Sequence, residues 1–212
     1  MSSNSGGFRG FQERATGGQS FNAQSFLVES ILSRIATSTL VQVKAVTNSG
    51  GVSPVGFVDI VPLVNQINGS GQAVPHGTIY RCPYLRVQGG ANAVILDPQV
   101  GDIGVAVFAS RDVSSVSATK ARSNPGTRRR HDMADGLYLG GMLNGTPTQY
   151  VQFNAGGIAI TSPNQVTINA PALQVNGNTT FNGTVTANGH RIDESHKHGG
   201  VSSGGSLTAV VA

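Results

Sequence analysis

Formal charge is scarce in this chain and is missing from its longest patterned segment. Only 11% of the 212 residues are Asp, Glu, Lys or Arg, less than half of the roughly 25% that soluble domains usually carry. Gly136 through Gly189 contains no charged residue at all. A soluble segment without charge is either a linker or a surface that packs against something else.

Three further absences exclude whole classes of protein. Cys82 is the only cysteine, so the fold does not depend on an intrachain disulfide. No run of 18 apolar residues is present, so no transmembrane helix is expected. Residues 1–25 are polar and Gly-rich, without the apolar core of a signal peptide. We therefore expect a protein that is made soluble in the cytoplasm.

The N-terminal part predicts a flexible segment and one short helix. We expect residues 1–25 to be flexible and residues 26–38 to contain the helix, with Asn22 or Ser25 as its cap. Six apolar residues recur there at helical spacing: Phe26, Leu27, Val28, Ile31, Leu32 and Ile35. This face either packs on the following domain or contacts another subunit, and the sequence leaves both open.

Residues 39–135 read as a small all-β domain. Five short alternating runs are separated by Gly- and Asn-rich turns: Thr39–Val46, Val55–Val61, Thr78–Cys82, Ala93–Leu96 and Ile103–Phe108. Five strands in about 75 residues fit an OB-fold barrel, with a small sandwich as the alternative. Gly56 and Gly104 lie inside strands, where they indicate bulges or close backbone approach.

The uncharged segment lies in a predicted domain of residues 136–195. Apolar and polar residues alternate in it with a period of two. Its apolar positions are Ile158/Ile160, Val166/Ile168, Leu173/Val175, Phe181 and Val185/Ala187. Such pairs between Asn, Gly and Pro turns are typical of a solenoid or β-helix. One ribbon cannot cover its own apolar stripe, whereas three ribbons around a three-fold axis can. We predict an intertwined homotrimeric β-helix, or β-prism; the alternative is a monomeric uncharged linker.

Two histidines close this segment, within the predicted apex of residues 196–212. His196 and His198 are two residues apart, so both imidazoles leave one face of an extended chain. Around a three-fold axis they supply six nitrogens, an octahedral set that favours iron over four-coordinate zinc. A solvated histidine pair beside a Gly-rich end is the simpler alternative. His190 is not expected to be a ligand, and Asp193 and Glu194 read as a solvated turn.

Catalysis and nucleic-acid binding have little support. No carboxylate pairs with a His, Ser or Lys at a recognisable catalytic spacing; Asp59, Asp97, Asp102 and Asp112 fall in or beside strand ends and turns. The net charge is +4, but Phe57, Tyr80, Tyr84 and Phe108 read mostly as core rather than as stacking platforms. Arg128–Arg130 reads as a salt-bridge set at a domain junction or as a subunit contact. We expect neither an enzyme nor a nucleic-acid partner.

Several stretches resemble the central-spike proteins, the membrane-piercing tips of contractile phage tails. They are Pro83–Leu96, Pro98–Gly104, Val107–Asp112, Arg128–Asp132, Asp135–Leu139, Gly189–Asp193 and Ser195–Val201. The resemblance implies an N-terminal OB domain that docks on the tail tube and baseplate hub, followed by a trimeric β-helix. It also implies an apex in which His196 and His198 of three chains hold one iron ion.

The function implied by this resemblance is mechanical. Such a protein sits at the baseplate tip of the virion and transmits the force of tail contraction into the host outer membrane. Its expected partners are two further copies of itself, the hub and tube proteins, and that membrane. Two rivals are a trimeric receptor-binding or adhesin tip of a tail fibre and, less strongly supported, an OB-fold nucleic-acid-binding protein.

Overall fold

The computed structural model describes residues 20–48, 50–68 and 70–192. The chain divides into two units, Met1–Pro147 and Thr148–Ala212. Within the described residues the structure is mostly β, with two α-helices, which confirms the predicted β character. None of the helices described there is both long enough and apolar enough to cross a bilayer.

The helix α1 spans Ser20–Leu32, rather than falling within residues 26–38. It begins earlier than predicted because Ser20, Asn22 and Gln24 are polar but do not break a helix, so Asn22 and Ser25 lie inside it. None of its residues is buried. Leu27, Val28, Ile31 and Leu32 are all more than half exposed, so packing of this face on the following domain is not observed among the described residues.

The described residues of the first unit form nine strands. They are β1 (Ser38–Val46), β2 (Phe57–Pro62), β3 (Gln66–Ile67), β4 (Ala73–Val74), β5 (Ile79–Pro83), β6 (Val87–Gly89), β7 (Asn92–Val94), β8 (Ile103–Phe108) and β9 (Gly136–Gly141). The short helix α2 (Ser114–Thr119) and a 3-10 turn (Met133–Asp135) lie between β8 and β9.

Five of these strands form one curled antiparallel sheet in the order β5-β2-β1-β8-β9. Its two edges meet at one end, where Tyr84 forms a parallel bridge with Tyr138 and the Leu85 amide donates to the Tyr138 carbonyl at 2.8 Å. The sheet is therefore curled into a half-barrel. The pairs β3–β4 and β6–β7 are separate two-stranded hairpins.

The alternation predicted from the sequence produces the core of this half-barrel. In β2 and β8 every second residue is buried, because successive side chains of a strand point to opposite faces. The buried apolar residues are Val41, Val43, Val58, Ile60, Ile79, Cys82, Tyr84, Ala106, Phe108 and Tyr138. Cys82 is a free thiol, and burial, with the nearby charge of Asp59, raises its pKa to about 12.

Two predicted strand positions differ from the structure. Ala93–Leu96 is not a sheet strand; part of it forms the β6–β7 hairpin, whose turn uses Gly90 at a φ of 57°. The fifth sheet strand is instead β9, which lies beyond residue 135 in the segment that the sequence assigned to the spike. This strand was not predicted from the sequence because it carries no charge and has Gly at positions 136, 140 and 141, like the uncharged segment that follows.

Gly104 makes the close approach that its strand position predicts. A Cβ atom at this position would overlap the Gly140 carbonyl oxygen and the ring and hydroxyl of Tyr138. Because Tyr138 is only 1% exposed, its ring has no free space into which it can shift. Glycine is therefore required where β8 and β9 meet.

Gly104→Ala is expected to lower the free energy of unfolding by about 1–3 kcal/mol or more, because overpacking a fixed core forces backbone shifts. Urea unfolding followed by circular dichroism measures the loss. Gly77→Ala is the matched control: no atom lies within 4 Å of its added Cβ, so its effect should stay within about 0.5 kcal/mol. Equal stability of the two variants would contradict the close packing described for Gly104.

The second unit contains two hairpins within its described part. Strands β10 (Tyr150–Asn154) and β11 (Gly157–Thr161) pair antiparallel, and the Asn154 side chain accepts a hydrogen bond from the Gly156 amide at 2.8 Å. Strands β12 (Thr186–Ala187) and β13 (His190–Arg191) are joined by Asn188 and Gly189. Both turn residues have positive φ, 51° and 82°, as a two-residue hairpin turn of type I′ requires.

Candidate functional site

The predicted metal ligands His196 and His198 lie outside the described residues, as do Asp193 and Glu194. His190 lies in β13, where it is exposed and pairs with Ala187. In the part of the chain that the structure covers, no three His, Cys, Asp or Glu side chains converge on a point that could hold a metal ion. The predicted iron site thus remains a prediction based on the sequence.

The hairpin β10–β11 presents four large apolar side chains on one face. Val151 pairs with Ile160, and Phe153 pairs with Ile158. Their exposed fractions are 58% and 65% for the first pair and 76% and 67% for the second. Side chains that are paired across two strands lie about 5 Å apart, so these four form one continuous apolar patch in contact with water.

The opposite face of the same hairpin is different in character. Gln152 pairs there with Ala159, and Tyr150 pairs with Thr161. Large aliphatic side chains are confined to one face, as in a sheet that covers a core on one side and meets water on the other. None of the residues that the structure describes covers the apolar face.

The same exposure continues along the rest of this unit. None of the described residues from 148 to 192 is buried. Val185 is partly buried, whereas five other apolar positions of the predicted stripe are between 54% and 69% exposed: Val166, Ile168, Leu173, Val175 and Phe181. Between β11 and β12 the chain forms no strand. Contiguous exposed apolar surface of this kind is characteristic of an interface between proteins.

In the first unit, the three consecutive arginines are divided between two roles. Arg129 forms ion pairs with Asp135, Nε to Oδ2 at 2.6 Å, and with Asp112, Nη2 to Oδ1 at 2.8 Å. Both carboxylates are almost fully buried; Asp112 also accepts the Ser114 amide, and Asp135 accepts the Val113 amide. Arg129 thus belongs to the salt-bridge set that the sequence suggested, while Arg128 and Arg130 are exposed beside it.

This network predicts a loss of stability in acid. Hydrogen bonds from Ser114, with the charge of Arg129, lower the pKa of Asp112 from 3.8 to about 2. A carboxyl group whose pKa is depressed in the folded state stabilises the fold above its unfolded pKa, and the stabilisation disappears as the pH falls through the folded pKa. The contribution of Asp112 should therefore be complete above about pH 5 and decline between about pH 4 and pH 2.

Urea unfolding of the wild type and of Asp112→Asn across this pH range measures that contribution. The difference in unfolding free energy should be largest near neutral pH and should shrink steadily below about pH 4, because the unfolded wild-type chain then gains a proton at Asp112 that the folded chain, with a pKa of about 2, still lacks. A difference that is independent of pH from about 6 to 2.5 would show that the charge of Asp112 contributes nothing.

A second ion pair lies deeper in the first unit. The Arg86 guanidinium contacts the Asp97 carboxylate, with Nη2 2.6 Å from Oδ1, and the two side chains are 3% and 0% exposed. Arg86 Nη1 also donates to the Ser53 carbonyl at 2.7 Å, and Asp97 Oδ2 accepts the Gly50 amide at 3.1 Å. Burial alone would raise the pKa of Asp97, but these hydrogen bonds outweigh it and the pKa is lowered. The pair fixes the loop between β1 and β2.

The remaining candidate residues of the half-barrel are largely structural. Tyr84 and Phe108 are buried as predicted, whereas Tyr80 is 68% exposed, because it lies on the outer face of β5. Phe57 is partly buried and stacks with Arg81, whose guanidinium carbon lies 4.6 Å from the ring centroid. Asp59 accepts the Arg81 amide and Asp102 accepts the Gln99 amide, which agrees with the prediction that these carboxylates hold turns and strand ends.

Comparison with known proteins does not extend this description. No protein-family model matches the chain, and no curated protein matches it at a significant level.

Proposed function

We propose that three copies of this chain form the membrane-piercing spike at the tip of a contractile phage tail. The observation that carries the proposal is the uncovered apolar face of the second unit, in particular the Val151, Phe153, Ile158 and Ile160 patch. Fully burying such a side chain is worth roughly 1.5–3 kcal/mol. A chain that leaves all of them in water forgoes most of the free energy available to order this segment.

A three-fold assembly supplies the missing cover. Three copies around one axis turn their apolar faces inward and leave amide and hydroxyl side chains outside. The segment between β11 and β12, which has no strand pairing within its own chain, then forms its backbone hydrogen bonds with neighbouring chains. An assembly of this kind is an intertwined homotrimeric β-helix, and it leaves no open sheet edge along the rod.

For the first unit we propose an OB-fold barrel. The strand order β5-β2-β1-β8-β9 and the parallel bridge between Tyr84 and Tyr138 support this assignment, because a five-stranded barrel closes when its third and fifth strands meet. In the assembled tail this barrel docks on the hub and tube proteins. The rod formed by the second unit reaches the host outer membrane.

The proposed action is mechanical rather than catalytic. Contraction of the tail pushes the spike forward, and the rod must transmit compression without buckling. Hydrogen bonds between three interwoven chains distribute that load, because each strand is held by two neighbours. At the apex, His196 and His198 of three chains hold one iron ion through six imidazole nitrogens, and this coordination ties three chain ends into one point.

Metal analysis tests the apex separately from the rod. We expect one iron per three chains in the wild type and none in the His196→Ala/His198→Ala variant. The melting temperature of the trimer should change by no more than about 4 °C, the shift that 1 kcal/mol produces in a chain of this size, because the apolar stripes lie elsewhere. His190→Ala is the matched control and should retain its iron.

Two results would contradict this account of the apex. One metal ion per chain with a bound water would indicate an open site, as a metalloenzyme has. A large fall in melting temperature for the double variant would show that the metal holds the whole assembly rather than its point.

A further inference from the structure

A depression in the first unit is lined by three arginines that have no acidic partner. Arg111, Arg128 and Arg130 surround a floor formed by residues 125–127, and the depression has a volume of about 550 Å³. All three arginines are exposed, and none forms an ion pair with the residues that the structure describes. No carboxylate and no aromatic side chain lines the depression.

The backbone that carries Arg128 and Arg130 is anchored by the residues between and beside them. Arg129, between Arg128 and Arg130, is fixed by its ion pairs with Asp112 and Asp135. Two residues along the chain, the His131 carbonyl accepts the Ala36 amide at 3.0 Å. Two of the three positive charges that line the depression therefore belong to one anchored segment.

The carboxylates near this site are engaged in contacts of their own. Asp112 and Asp135 pair with Arg129 and accept the amides of Ser114 and Val113. Asp132, two residues from Arg130, uses Oδ1 to accept the Ala134 amide at 2.8 Å. A chain with only 10 Asp and Glu that places three of them, Asp97, Asp112 and Asp135, in buried ion pairs has seven left for a second copy to offer, which favours an occupant from another molecule.

We infer that the depression formed by Arg111, Arg128 and Arg130 binds an acidic segment of a partner protein that carries at least two Asp or Glu side chains. Guanidinium groups match carboxylates in two-pronged hydrogen bonds and remain charged at every physiological pH. This inference does not depend on the spike assignment. If that assignment holds, the partner is a baseplate protein that contacts the barrel.

Nucleic acid fits the same charges less well. Proteins that bind single strands combine a positive groove with aromatic side chains on which bases stack, and this depression has none. Phosphate sites commonly use free backbone amides, whereas the Val113 and Ser114 amides beside it are already bonded to carboxylates.

A binding titration of the full-length chain tests the inference. The probe is a fluorescein-labelled Gly-Glu-Glu-Gly-Glu-Glu-Gly peptide, followed by fluorescence anisotropy at about 0.15 M ionic strength, where weak surface attraction is largely screened. Arg128→Ala/Arg130→Ala should weaken binding at least tenfold. Arg34→Ala/Lys44→Ala removes the same charge from exposed positions outside the depression, and should weaken it less than twofold.

The remaining outcomes all overturn the inference. Equal weakening by the two double variants would show attraction by net charge alone. No binding of the peptide to the wild type would show that the depression does not bind an acidic segment. A 12-nucleotide single strand or inorganic pyrophosphate that displaces the peptide at a lower concentration than the unlabelled peptide does would assign the site to phosphates. Because all four substituted residues are exposed, circular dichroism should show unchanged folding for both variants.

Discussion

Phe153→Asp is expected to dissociate a three-chain particle of about 65 kDa into single chains of 21.8 kDa. Phe153 belongs to the apolar face of the β10–β11 hairpin and pairs with Ile158. Around a three-fold axis the substitution places three carboxylates on one buried stripe. Removing an unpaired charge from water costs several kcal/mol even after relaxation. The desolvation of three carboxylates therefore costs more free energy than the burial of the apolar side chains gains.

Gln152→Asp is the control, because it adds the same charge to the neighbouring residue on the opposite face of β10. Light scattering coupled to size-exclusion chromatography gives the mass of each variant. We expect the wild type and Gln152→Asp to elute as trimers and Phe153→Asp as a monomer or an aggregate of unfolded chains. A trimeric Phe153→Asp variant would mean that this face is not the interface.

Asp97→Ala is expected to lower the free energy of unfolding of the first unit by about 3–5 kcal/mol, because it leaves the guanidinium of Arg86 buried without its partner. The Gly50 amide loses its acceptor at the same time. Chemical unfolding of the full-length chain at one fixed concentration measures the effect. Glu29→Ala, which removes an exposed carboxylate of α1, should change the stability by no more than about 0.5 kcal/mol.

A third variant separates the loss of a charge partner from the loss of packing. In Arg86→Met/Asp97→Leu both charges are replaced by apolar side chains, a change that is often neutral or stabilising for a buried pair. We expect it to recover much of the stability that Asp97→Ala loses. If Asp97→Ala itself costs less than about 1 kcal/mol, the pair does not hold the β1–β2 loop.

The local pattern of the sequence was sufficient to predict most of the half-barrel. Alternation predicted strands over Thr39–Val46 and Val55–Val61, and the structure buries Val41 and Val43 in the first and Val58 and Ile60 in the second. The position of Gly104 inside a strand also predicted a bulge or a close backbone approach, and the close approach is observed. The strand alternation depends on residues two positions apart, so it can be recognised in the sequence alone.

Features that depend on distant residues were not predictable in the same way. Arg86 and Asp97 are 11 residues apart and follow no repeating pattern, so only the folded chain brings them together. Strand β9 contains three glycines and no charge, and its place in the sheet is decided by pairing with β8. The β10–β11 hairpin was predicted only in part. Ile158 and Ile160 were assigned to the apolar stripe, whereas Val151 and Phe153, which alternate as clearly, were not.

The apolar stripe and the arginine-lined depression differ in the same way. The exposed apolar stripe follows from the sequence, since alternating Ile and Val without charge require cover from elsewhere. The arginine-lined depression does not, because Arg111 is 17 residues from Arg128 in the chain, and the sequence gives no sign that Arg129 turns inward while its neighbours remain exposed.

Native mass spectrometry of the purified wild-type chain tests the central claim most directly, because it counts chains and metal ions in one particle. We expect a single species of three chains, about 65 kDa from 21.8 kDa each, carrying one iron ion. A stable, well-ordered particle of one chain would contradict the trimer, and with it the rod, the six-histidine apex and the piercing role.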